Sequence, residues 1–521
     1  MKSAGQVPLI ERMRRHLLER GLALHVEVVE THISYLLLTG IYAYKIKKAV
    51  KLAFLDFSTL EQRRLDCERE LRLNRRYAPD IYLDIVAICE TPAGLDLADI
   101  GACRSPALEY AVRMREFPQD CLASRVLERG ELGGADVDAM AAELARVHRE
   151  CDSSPPDDKL GSAANIQGWV SKSFAVIRPL LRDQADLQEL ARLEQWMEAE
   201  SRSRRALIEA RKKSGQVREC HGDLHLQNIV MQDGKPRLFD CIEFNEELRW
   251  IDVVNDAAFL AMDLHVRGRA DYAHRFLNAY FDATGDYAGL PLLRFYMAYR
   301  ALVRAEVALL SGTGAERFPD ESYARYREHI DFAVQCTLPA RAWLILMHGL
   351  SGTGKTTIST ALLAETGAIR IRSDVERKRS GTSAVSYSPQ AIGANYEHLL
   401  ELAGFAIDGG FGVIVDATFL RRAQRDLFAQ YARRRGIPYV FLSLQAEPGE
   451  LARRLASRRQ HGADASDADQ AVLERQILNQ DALGTDETAH AVRLDAMREW
   501  RLLRNQALDG LRRHLRTGGA S

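Results

Sequence analysis

The sequence predicts a chain of two domains, of α+β class in its first part and of α/β class in its last third. At 521 residues the chain is too long for one hydrophobic core. After Trp343, segments typical of strands and helices alternate, as they do when crossover helices join parallel strands. The earlier part begins with strand-like segments and then becomes mostly helical. We therefore expect domains at 1–335 and 341–521.

Composition narrows the range of partners. Hydrophobic residues make up 46% and charged residues 27%, which is typical of a soluble globular protein. The formal net charge of −1 provides no global field for a nucleic acid or a membrane, although local basic patches leave a nucleic-acid substrate open. Because no apolar run approaches the ~18 residues of a membrane span, we expect a cytoplasmic protein with no membrane partner. Eight cysteines without a CxxC pair predict reduced thiols. Composition favours no particular oligomeric state.

The first part of the chain contains strands, a helix and then longer helical stretches. Alternating apolar residues predict strands, and leucines on or near one face predict a helix at Thr59–Arg76. The predicted strands are Val26–Val29, Tyr35–Leu38 and Ala43–Ile46; the later helices lie within Leu122–Arg149, Gln167–Lys213 and Asp252 to about Pro339. Between them, Cys220–Asp252 has the pattern of short strands joined by polar loops.

The motif HGDLHLQN, which begins at His221, places Asp223 and Asn228 five positions apart. Twelve residues later an apolar segment ends at Asp240. Phosphoryl transfer needs one carboxylate to take the proton of the attacking hydroxyl, and an amide and a second carboxylate to hold Mg²⁺ on ATP. We predict Asp223 as the base, with Asn228 and Asp240 as metal ligands. Metal binding by His221 and His225 is the alternative, but the Asp/Asn/Asp spacing already accounts for the motif.

HGDLHLQNIV and LFD resemble the aminoglycoside phosphotransferase and choline kinase branch of the protein-kinase-like fold, over roughly Val26–Ala258. The resemblance implies a bilobal domain in which a strand lysine binds the α- and β-phosphates and pairs with a helix glutamate. Lys45 fits the lysine best, and Lys47, on the same side of the strand, is the alternative. Glu70 is the first candidate for the glutamate, and Glu68 is the second.

The resemblance has departures that bear on activity. No GxGxxG loop lies between the first strands, where Glu30–Ser34 stands instead, and Cys241 follows the metal-binding Asp in place of Phe. The aminoglycoside phosphotransferase branch tolerates both, but they argue against protein-kinase activity. The segment Glu109–Met114 resembles the connection between the lobes, whose backbone meets adenine.

The last third contains a phosphate-binding loop. Gly349–Thr356, GLSGTGKT, matches GxxxxGK[ST], with an apolar strand before it and a helix-forming run after it. In this arrangement the backbone N–H groups and the helix N-terminus face phosphate oxygens. Lys355 is expected to reach the β- and γ-phosphates and to act in catalysis, and Thr356 to ligate Mg²⁺. The predicted nucleotide-binding residues are Gly349, Ser351, Gly352, Thr353, Gly354, Lys355, Thr356 and Thr357.

Two acidic residues follow predicted strands of the same domain. The apolar strand Phe411–Asp416 ends in a carboxylate that we expect to bind Mg²⁺; the alternative is that Asp416 caps the next helix. Asp374 follows the second strand, at the sheet edge where ligands bind in α/β folds. It can accept the proton of an attacking hydroxyl, and Arg377 can hold the substrate. The alternative is that Asp374 is a helix N-cap.

An arginine-rich helix completes the predicted site. Of Arg453, Arg454, Arg458 and Arg459, the pair Arg454 and Arg458 is four residues apart and shares a helix face. Such a face can clamp the transferring phosphates as a lid. A solvated charged surface is the alternative.

GLSGTGKTT, SDVERKR, VIVDATF and the arginine segment occur in the order found in the small P-loop kinases. That group includes gluconate and shikimate kinases, bacteriophage polynucleotide kinase and the zeta toxins, and the resemblance covers about Trp343–Gln476. It implies that Asp374 is the base or substrate anchor and that Asp416 and Thr418 lie in the site.

The whole chain resembles bacterial fusions of an aminoglycoside-phosphotransferase-like domain with a P-loop kinase domain. We therefore expect a tandem kinase that uses Mg²⁺ and ATP to phosphorylate a hydroxyl of a small molecule, such as a sugar or nucleoside. In one alternative, one domain senses nucleotide and regulates the other. In a second, the acceptor is a nucleic acid 5′-hydroxyl or a protein. In a third, the chain is an ATP-gated binding module, which the filled catalytic positions disfavour.

Overall fold

The computed structural model describes residues 6–52, 55–92, 94–103, 105–311, 320–339, 341–379, 389–461 and 470–516. The chain divides into two compact units. The first unit consists of Met1–Trp169 and Ala206–Leu260, and the second consists of Val170–Arg205 and Ala261–Ser521. The predicted domains 1–335 and 341–521 follow sequence motifs, whereas compactness assigns the helices after residue 260 to the second unit. Those domain limits stay a prediction.

The first unit opens with a helix and an antiparallel sheet in the order β1-β2-β3-β8-β6-β7. The elements are α1 (Val7–Glu19), β1 (Glu27–Glu30), β2 (Ser34–Leu38), β3 (Tyr42–Lys47), β4 (Lys51–Leu52), β5 (Leu55–Asp56), α2 (Leu60–Asn74), β6 (Tyr82–Thr91), β7 (Gly94–Asp99) and β8 (Ala107–Arg115). Because side chains alternate along a strand, Tyr44 and Ile46 pack in a cluster with α1, and Ala43 packs in a cluster with α2. The same alternation puts Lys45 and Lys47 on the face of the sheet that meets α2.

The elements that follow place the predicted catalytic segment. They are α3 (Ala123–Glu128), α4 (Gly134–Glu150), α5 (Ala163–Ile177), α6 (Gln184–Lys213), β9 (Val217–Glu219), β10 (Ile229–Gln232), β11 (Lys235–Leu238), α7 (Glu246–Arg249), β12 (Trp250–Asp252) and α8 (Val253–Val266). β10 and β11 form an antiparallel hairpin in which Ile229 faces Leu238. Asn228 and Asp240 therefore flank the open end of one hairpin, which explains their twelve-residue spacing.

The second unit contains a parallel sheet in the order β14-β15-β13-β16-β17, which confirms the predicted α/β class. Its strands are β13 (Leu344–His348), β14 (Ile369–Arg372), β15 (Val413–Asp416), β16 (Tyr439–Gln445) and β17 (Ala491–Asp495). Its later helices are α9 (Ala270–Thr284), α10 (Leu290–Ser311), α11 (Asp320–Thr337), α12 (Lys355–Thr366), α13 (Ser373–Arg379), α14 (Pro389–Asp408), α15 (Arg422–Arg435), α16 (Pro448–His461), α17 (Gln470–Asn479), α18 (Thr485–Thr488) and α19 (Trp500–Arg516). Buried aliphatic residues of the central strands form its core.

Helix α9 closes one edge of this sheet. The strand β14 pairs with β15 on one side, and on the other the Asn278 side chain replaces a neighbouring strand. Asn278 Nδ2 donates to Ala368 O at 2.9 Å, and Arg370 N donates to Asn278 Oδ1 at 2.7 Å. These contacts give a physical reason why α9 belongs to the second unit.

The structure bears on two predictions from the sequence, the reduced state of the cysteines and the lack of a membrane-spanning helix. Cys89 and Cys103 form a disulfide with their Cα atoms 6.2 Å apart, so the prediction of reduced thiols is wrong for this pair. Free cysteines include Cys67, Cys220 and Cys241, which are buried. Across the described ranges, every helix falls short of the combined length and apolar character that a membrane span requires.

Candidate active sites

The first candidate site is built around Lys45 on β3. Its Nζ lies 2.7 Å from Glu70 Oε1 on α2 and 2.5 Å from Asp240 Oδ1 beyond β11. The structure thus contains the lysine–glutamate pair that the resemblance implies. The alternative glutamate, Glu68, forms an ion pair with Arg64 on its own helix instead.

Lys47 lies on the same face of β3 but in a different environment. Its side chain is 0% exposed, and its Nζ lies 2.6 Å from Glu70 Oε2 and 3.2 Å from Asp66 Oδ2, with Glu243 also in contact. Lys45 is 11% exposed and reaches Asp240. The geometry therefore favours Lys45 for phosphate, because Lys47 is enclosed by carboxylates.

Burial and charge pull the pKa values of this cluster in opposite directions. Burial by itself lowers the pKa of Lys45, but Asp240 and Glu70 outweigh it and hold that pKa well above its ordinary value. Burial would raise the pKa of Glu70, yet the two lysines bring it to about 2. For Glu243 burial prevails over Lys47 and raises the pKa to about 7. At neutral pH the cluster therefore holds a charged Lys45–Glu70 pair and a carboxyl close to its titration point.

The predicted base lies on a short, tightly turned loop. Gly222 has φ +84°, and a Cβ there would lie 2.8 Å from Leu248 O, so this position requires glycine. Asn228 Nδ2 donates to Asp223 O at 2.9 Å and lies 3.3 Å from Asp223 Oδ2. His225 Nε2 lies 3.4 Å from the same oxygen. The carboxylate of Asp223 is 34% exposed and so remains accessible to a substrate.

Asp256 on α8 supports this loop, and sequence reasoning missed it. Its two carboxylate oxygens accept hydrogen bonds from the backbone N–H groups of His221 and Gly222, at 3.0 and 2.9 Å. His148 Nε2 lies 3.1 Å from Asp256 Oδ2. His148, Cys220 and Asp256 come close enough together to hold a metal. Because both oxygens of Asp256 already accept hydrogen bonds from the backbone of the loop, we interpret the group as a support for the loop.

The backbone directs Asp240 toward Lys45. Asp240 adopts φ +61°, a left-handed conformation that aspartate tolerates better than most residues. Its N–H donates to the Tyr82 hydroxyl at 3.1 Å, and Phe239 N donates to Asn228 O at 3.0 Å across the hairpin. The carboxylate is 44% exposed. Both predicted metal ligands thus lie at the same end of the β10–β11 hairpin.

The segment Glu109–Met114 lies within β8 and is not the connection between the lobes, so that prediction is wrong. Glu109 is buried, 2.8 Å from Arg63 Nη2, and accepts a hydrogen bond from Gln6 at 2.7 Å. The strand ends at Arg115, and the connection to the helices starts beyond it. The segment that resembled a lobe connection is instead part of a sheet strand with buried positions.

The second candidate site is the loop between β13 and α12. Gly349, Gly352 and Gly354 have φ of +138°, +85° and +89°, and a Cβ at Gly349 would lie 2.5 Å from Leu444 O. Lys355 Nζ donates to Gly349 O at 2.9 Å and to Leu350 O at 2.8 Å. The predicted strand, glycine loop and helix are therefore all present. Ser351 and Thr353 are buried in the loop, Thr356 is half-buried, and Thr357 is exposed on α12.

Asp416 is connected to the start of α12. It ends β15, and the Ser359 hydroxyl lies 3.2 Å from Asp416 Oδ2 and 3.0 Å from Thr356 O. Gly349 N donates to Thr418 O at 3.1 Å, which joins the glycine loop to the segment after β15. The next helix is capped at Arg421, which excludes Asp416 as its cap.

Asp374 is the second residue of α13, so it is not the N-cap of that helix. Arg377 Nη2 lies 3.8 Å from Asp374 Oδ1, one turn along the same helix. The structure thus brings the predicted base and the predicted substrate-binding arginine together at the end of β14.

Arg454 has contacts that differ from a phosphate clamp. Its Nε lies 2.7 Å from Glu450 Oε1, and its Nη2 donates to Ala496 O at 3.0 Å. Arg453 also pairs with Glu450. The side chains of Arg458 and Arg459 lie outside the described residues. The phosphate clamp therefore stays a prediction.

Sequence reasoning missed two further polar residues of this unit. Arg425 is fully buried, donating to Glu487 Oε1 at 2.6 Å and to Phe419 O at 3.1 Å, where it supports the segment that carries Thr418. Gln476 on α17 contacts Ser351 of the glycine loop. Neither residue carries a local signal, since the Glu487 side chain lies 62 positions from Arg425 and Ser351 lies 125 positions from Gln476.

Comparisons with known protein families find a match in each part of the chain. A family model described as "Phosphotransferase enzyme family" matches residues 56–296, and one described as "AAA domain" matches residues 344–483. The first range contains the Lys45 partners Glu70 and Asp240 and the Asp223 loop, but not Lys45 itself. The second contains the glycine loop, Asp374 and Asp416.

An uncharacterized protein of Mycobacterium tuberculosis (strain ATCC 25618 / H37Rv) is 32% identical over 453 residues, which cover 85% of this chain and 88% of the relative. A Mycobacterium bovis protein matches to the same extent. Among solved structures, a gluconokinase from Sinorhizobium meliloti 1021 has 21% identity and a TM-score of 0.27, covering 34% of this chain and 95% of its own. A choline/ethanolamine kinase family protein from Mesorhizobium loti has 11% identity and a TM-score of 0.38, covering 63% and 98%.

Proposed function

Since the chain belongs to the family of these mycobacterial proteins, and is a kinase that joins a phosphotransferase-family domain to a P-loop domain, we propose that it phosphorylates hydroxyl groups of small molecules at two separate ATP sites. The observation that carries the proposal is the duplication of the machinery. Lys45 with Asp223, Asn228 and Asp240 forms one set, and Lys355 with Asp374 forms the other. Sugars and nucleosides are the acceptor class that we favour.

The residues present fit Mg²⁺ in both sites. Asp240 offers an exposed carboxylate next to Asn228, and Asp416 lies near Thr356 through Ser359. Carboxylate, amide and hydroxyl oxygens are ligands that Mg²⁺ accepts. When bound, the ion neutralises charge on the phosphates of ATP.

In the first site, Asp223 takes the proton of the acceptor hydroxyl. The hydroxyl oxygen forms a bond to the γ-phosphorus while the bond to the bridging oxygen of ADP breaks. Lys45, oriented by Glu70, holds the α- and β-phosphates. Asn228 keeps the Asp223 loop in place through the backbone carbonyl of Asp223.

In the second site, the backbone N–H groups of the glycine loop and the start of α12 hold the phosphates. Lys355 leaves the carbonyl groups of its own loop to reach the β- and γ-phosphates. Asp374 accepts the proton of the acceptor, which Arg377 holds. Arg454 and Arg458 close over the phosphates. Both proposed sites use ATP, and this agrees with the cytoplasmic location that the sequence predicts for the protein.

Regulation of one domain by the other is the second candidate. Helix α9 favours it, because this helix lies within the 56–296 match to the phosphotransferase family and yet packs on the edge strand of the P-loop sheet.

The test uses the full chain with ATP and pooled sugars and nucleosides, with ³¹P NMR to detect products. Asp223→Asn and Lys355→Ala are each expected to remove a different product, and the double variant to remove both. Turnover retained by the double variant would contradict both site assignments. Loss of the second-site product in Asp223→Asn would favour the regulatory candidate.

A further inference from the structure

A glutamine from a distant helix binds the glycine loop through both ends of its amide. Gln476 Oε1 accepts a hydrogen bond from the Ser351 backbone N–H at 2.9 Å, and Gln476 Nε2 donates to Ser351 Oγ at 3.0 Å. The two residues are 125 positions apart, so tertiary structure alone creates this contact. A two-point contact fixes both the backbone and the side chain of Ser351, which is buried.

Apolar contacts hold the neighbouring loop residue against the same helices. Leu451 and Leu455 of α16 and Leu473 of α17 form a buried cluster, and Leu350 packs against it together with Ile477. The loop also runs close to α16 at Gly352, where an added Cβ would lie 3.3 Å from Leu451 O. The loop segment 350–352 is therefore held by α16 and α17 from one side.

The phosphate-binding part of the loop begins where this support ends. Gly352 and Gly354 have positive φ, and α12 starts after Gly354 without a side-chain N-cap. Glycines lose more conformational freedom on ordering than other residues. A loop that is already ordered in the free protein spares the ligand that entropic cost.

We propose that Gln476 is a positioning residue for nucleotide binding by the P-loop. It holds Ser351 so that the N–H groups that follow, from Gly352 into the first turn of α12, face the phosphates of ATP. This inference rests on the proposed function, since it concerns the same P-loop site. It adds α17 to that site as the element that orders the loop.

Three variants of the full chain separate positioning from overall stability. Gln476→Ala removes both hydrogen bonds. Gln476→Glu keeps an oxygen that can accept from the Ser351 N–H. Glu474→Ala, an exposed position two residues earlier on α17, is the matched control. Amide hydrogen exchange of the peptide that contains Ser351 reports loop order without nucleotide, and calorimetry with Mg·ATP reports affinity. The binding that Lys355→Ala abolishes is assigned to the P-loop site.

Gln476→Ala is expected to accelerate exchange at Ser351 and to weaken the Lys355-dependent binding of Mg·ATP roughly tenfold, the size expected for two neutral hydrogen bonds. The rate of ATP hydrolysis at saturation is expected to stay unchanged, because the lost contact serves binding in ground state and transition state alike. Gln476→Glu is expected to restore slow exchange at Ser351, and Glu474→Ala to match the wild type throughout.

Wild-type exchange at Ser351 in Gln476→Ala, or unchanged affinity for Mg·ATP in that variant, would overturn the inference. Failure of Gln476→Glu to restore slow exchange would overturn it as well, even if Gln476→Ala proves unstable. Absence of any Lys355-dependent binding in the wild type would instead refute the proposed function of this domain, and the exchange data would still decide on the loop contact.

Discussion

The two lysines that we propose to bind phosphate, Lys45 and Lys355, have opposite kinds of electrostatic environment. Lys45 projects from a strand and is met by the carboxylates of Glu70 and Asp240. Lys355 starts a helix and is met by two backbone carbonyl groups of its own loop. One lysine is therefore held by side chains of opposite charge, and the other by neutral dipoles.

Because of this difference, we expect the two sites to depend on their ligands in different ways. In the first site, phosphate has to compete with Asp240 for Lys45. A metal ion that binds Asp240 therefore weakens its ion pair with Lys45 and leaves the lysine available for phosphate. In the second site, the competing carbonyl groups carry no net charge, and phosphate displaces them more easily. We therefore expect nucleotide binding to depend more strongly on Mg²⁺ in the first site than in the second.

The sharpest test of this comparison separates base from metal ligand in the first site. Asp223→Asn is expected to lower phosphoryl transfer there by about 10²–10⁴-fold, because a positioned base is lost, with nucleotide affinity little changed. Asp240→Asn is expected to weaken Mg²⁺-dependent nucleotide binding instead. Product formation and calorimetry on the full chain measure both. Equal losses of affinity in the two variants would break the assignment.

A second test concerns the charged cluster itself. Glu70→Ala removes a buried carboxylate between two lysines and is expected to cost about 3–5 kcal/mol of stability. Glu68→Ala, two residues away on α2 and paired at the surface, is the matched control and is expected to cost less than about 1 kcal/mol. Urea unfolding of the first unit measures the difference. Equal costs would show that the Lys45–Glu70 pair is not the anchor of the first site.

A third test concerns the edge of the second unit. Asn278→Ala leaves the buried Ala368 O and Arg370 N without their side-chain partner, at a cost of about 1–3 kcal/mol. Asn479→Ala, at an exposed position on α17, is the control and is expected to be near neutral. Thermal unfolding of the full chain compares them. A neutral Asn278→Ala would remove the reason for assigning α9 to the second unit.

The smallest expected effect is a pH dependence that Glu243 gives to the first site. Lys47, Glu70, Asp66 and Lys45 surround Glu243, whose pKa burial raises to about 7 from its ordinary value of 4.5. The folded state therefore binds this proton more tightly than the unfolded state does. The resulting contribution to the free energy of unfolding is complete below pH 4.5 and is lost as the pH rises through 7. Glu243→Gln is expected to flatten this decline, an effect on the order of 1 kcal/mol in unfolding measured at pH 5 and pH 7. An unchanged slope would contradict the raised pKa.

The local motifs of both sites could be predicted because each one lies within a short stretch of chain. The glycine loop, the strand that ends at Asp416 and the Asn228–Asp240 hairpin all follow from turn residues and from side-chain alternation along strands. By the same logic Lys45 and Lys47 face one side of β3. Alternation alone cannot tell them apart, since the answer depends on which of them reaches Asp240.

The residues that escaped prediction are those whose partners are distant in sequence. Asp256 supports the His221 loop, Arg425 pairs with Glu487, and Gln476 binds Ser351, and each of these reads locally as an ordinary polar residue of a helix. Their role arises from burial, which makes an unsatisfied polar group costly and so selects a specific partner.

Local sequence patterns were enough to predict the two fold classes, the order of the proposed phosphate-binding and acidic residues, and the kinase chemistry that these residue types perform. Long-range packing was needed to give Lys45 and Lys47 different surroundings, to pair Cys89 with Cys103, and to place α9 in the same compact unit as the P-loop sheet. Hydrogen bonding and apolar periodicity within a segment depend on neighbouring residues, so a local stretch of sequence is enough to predict them. Charge pairing and edge closure depend instead on which distant segments share a buried space.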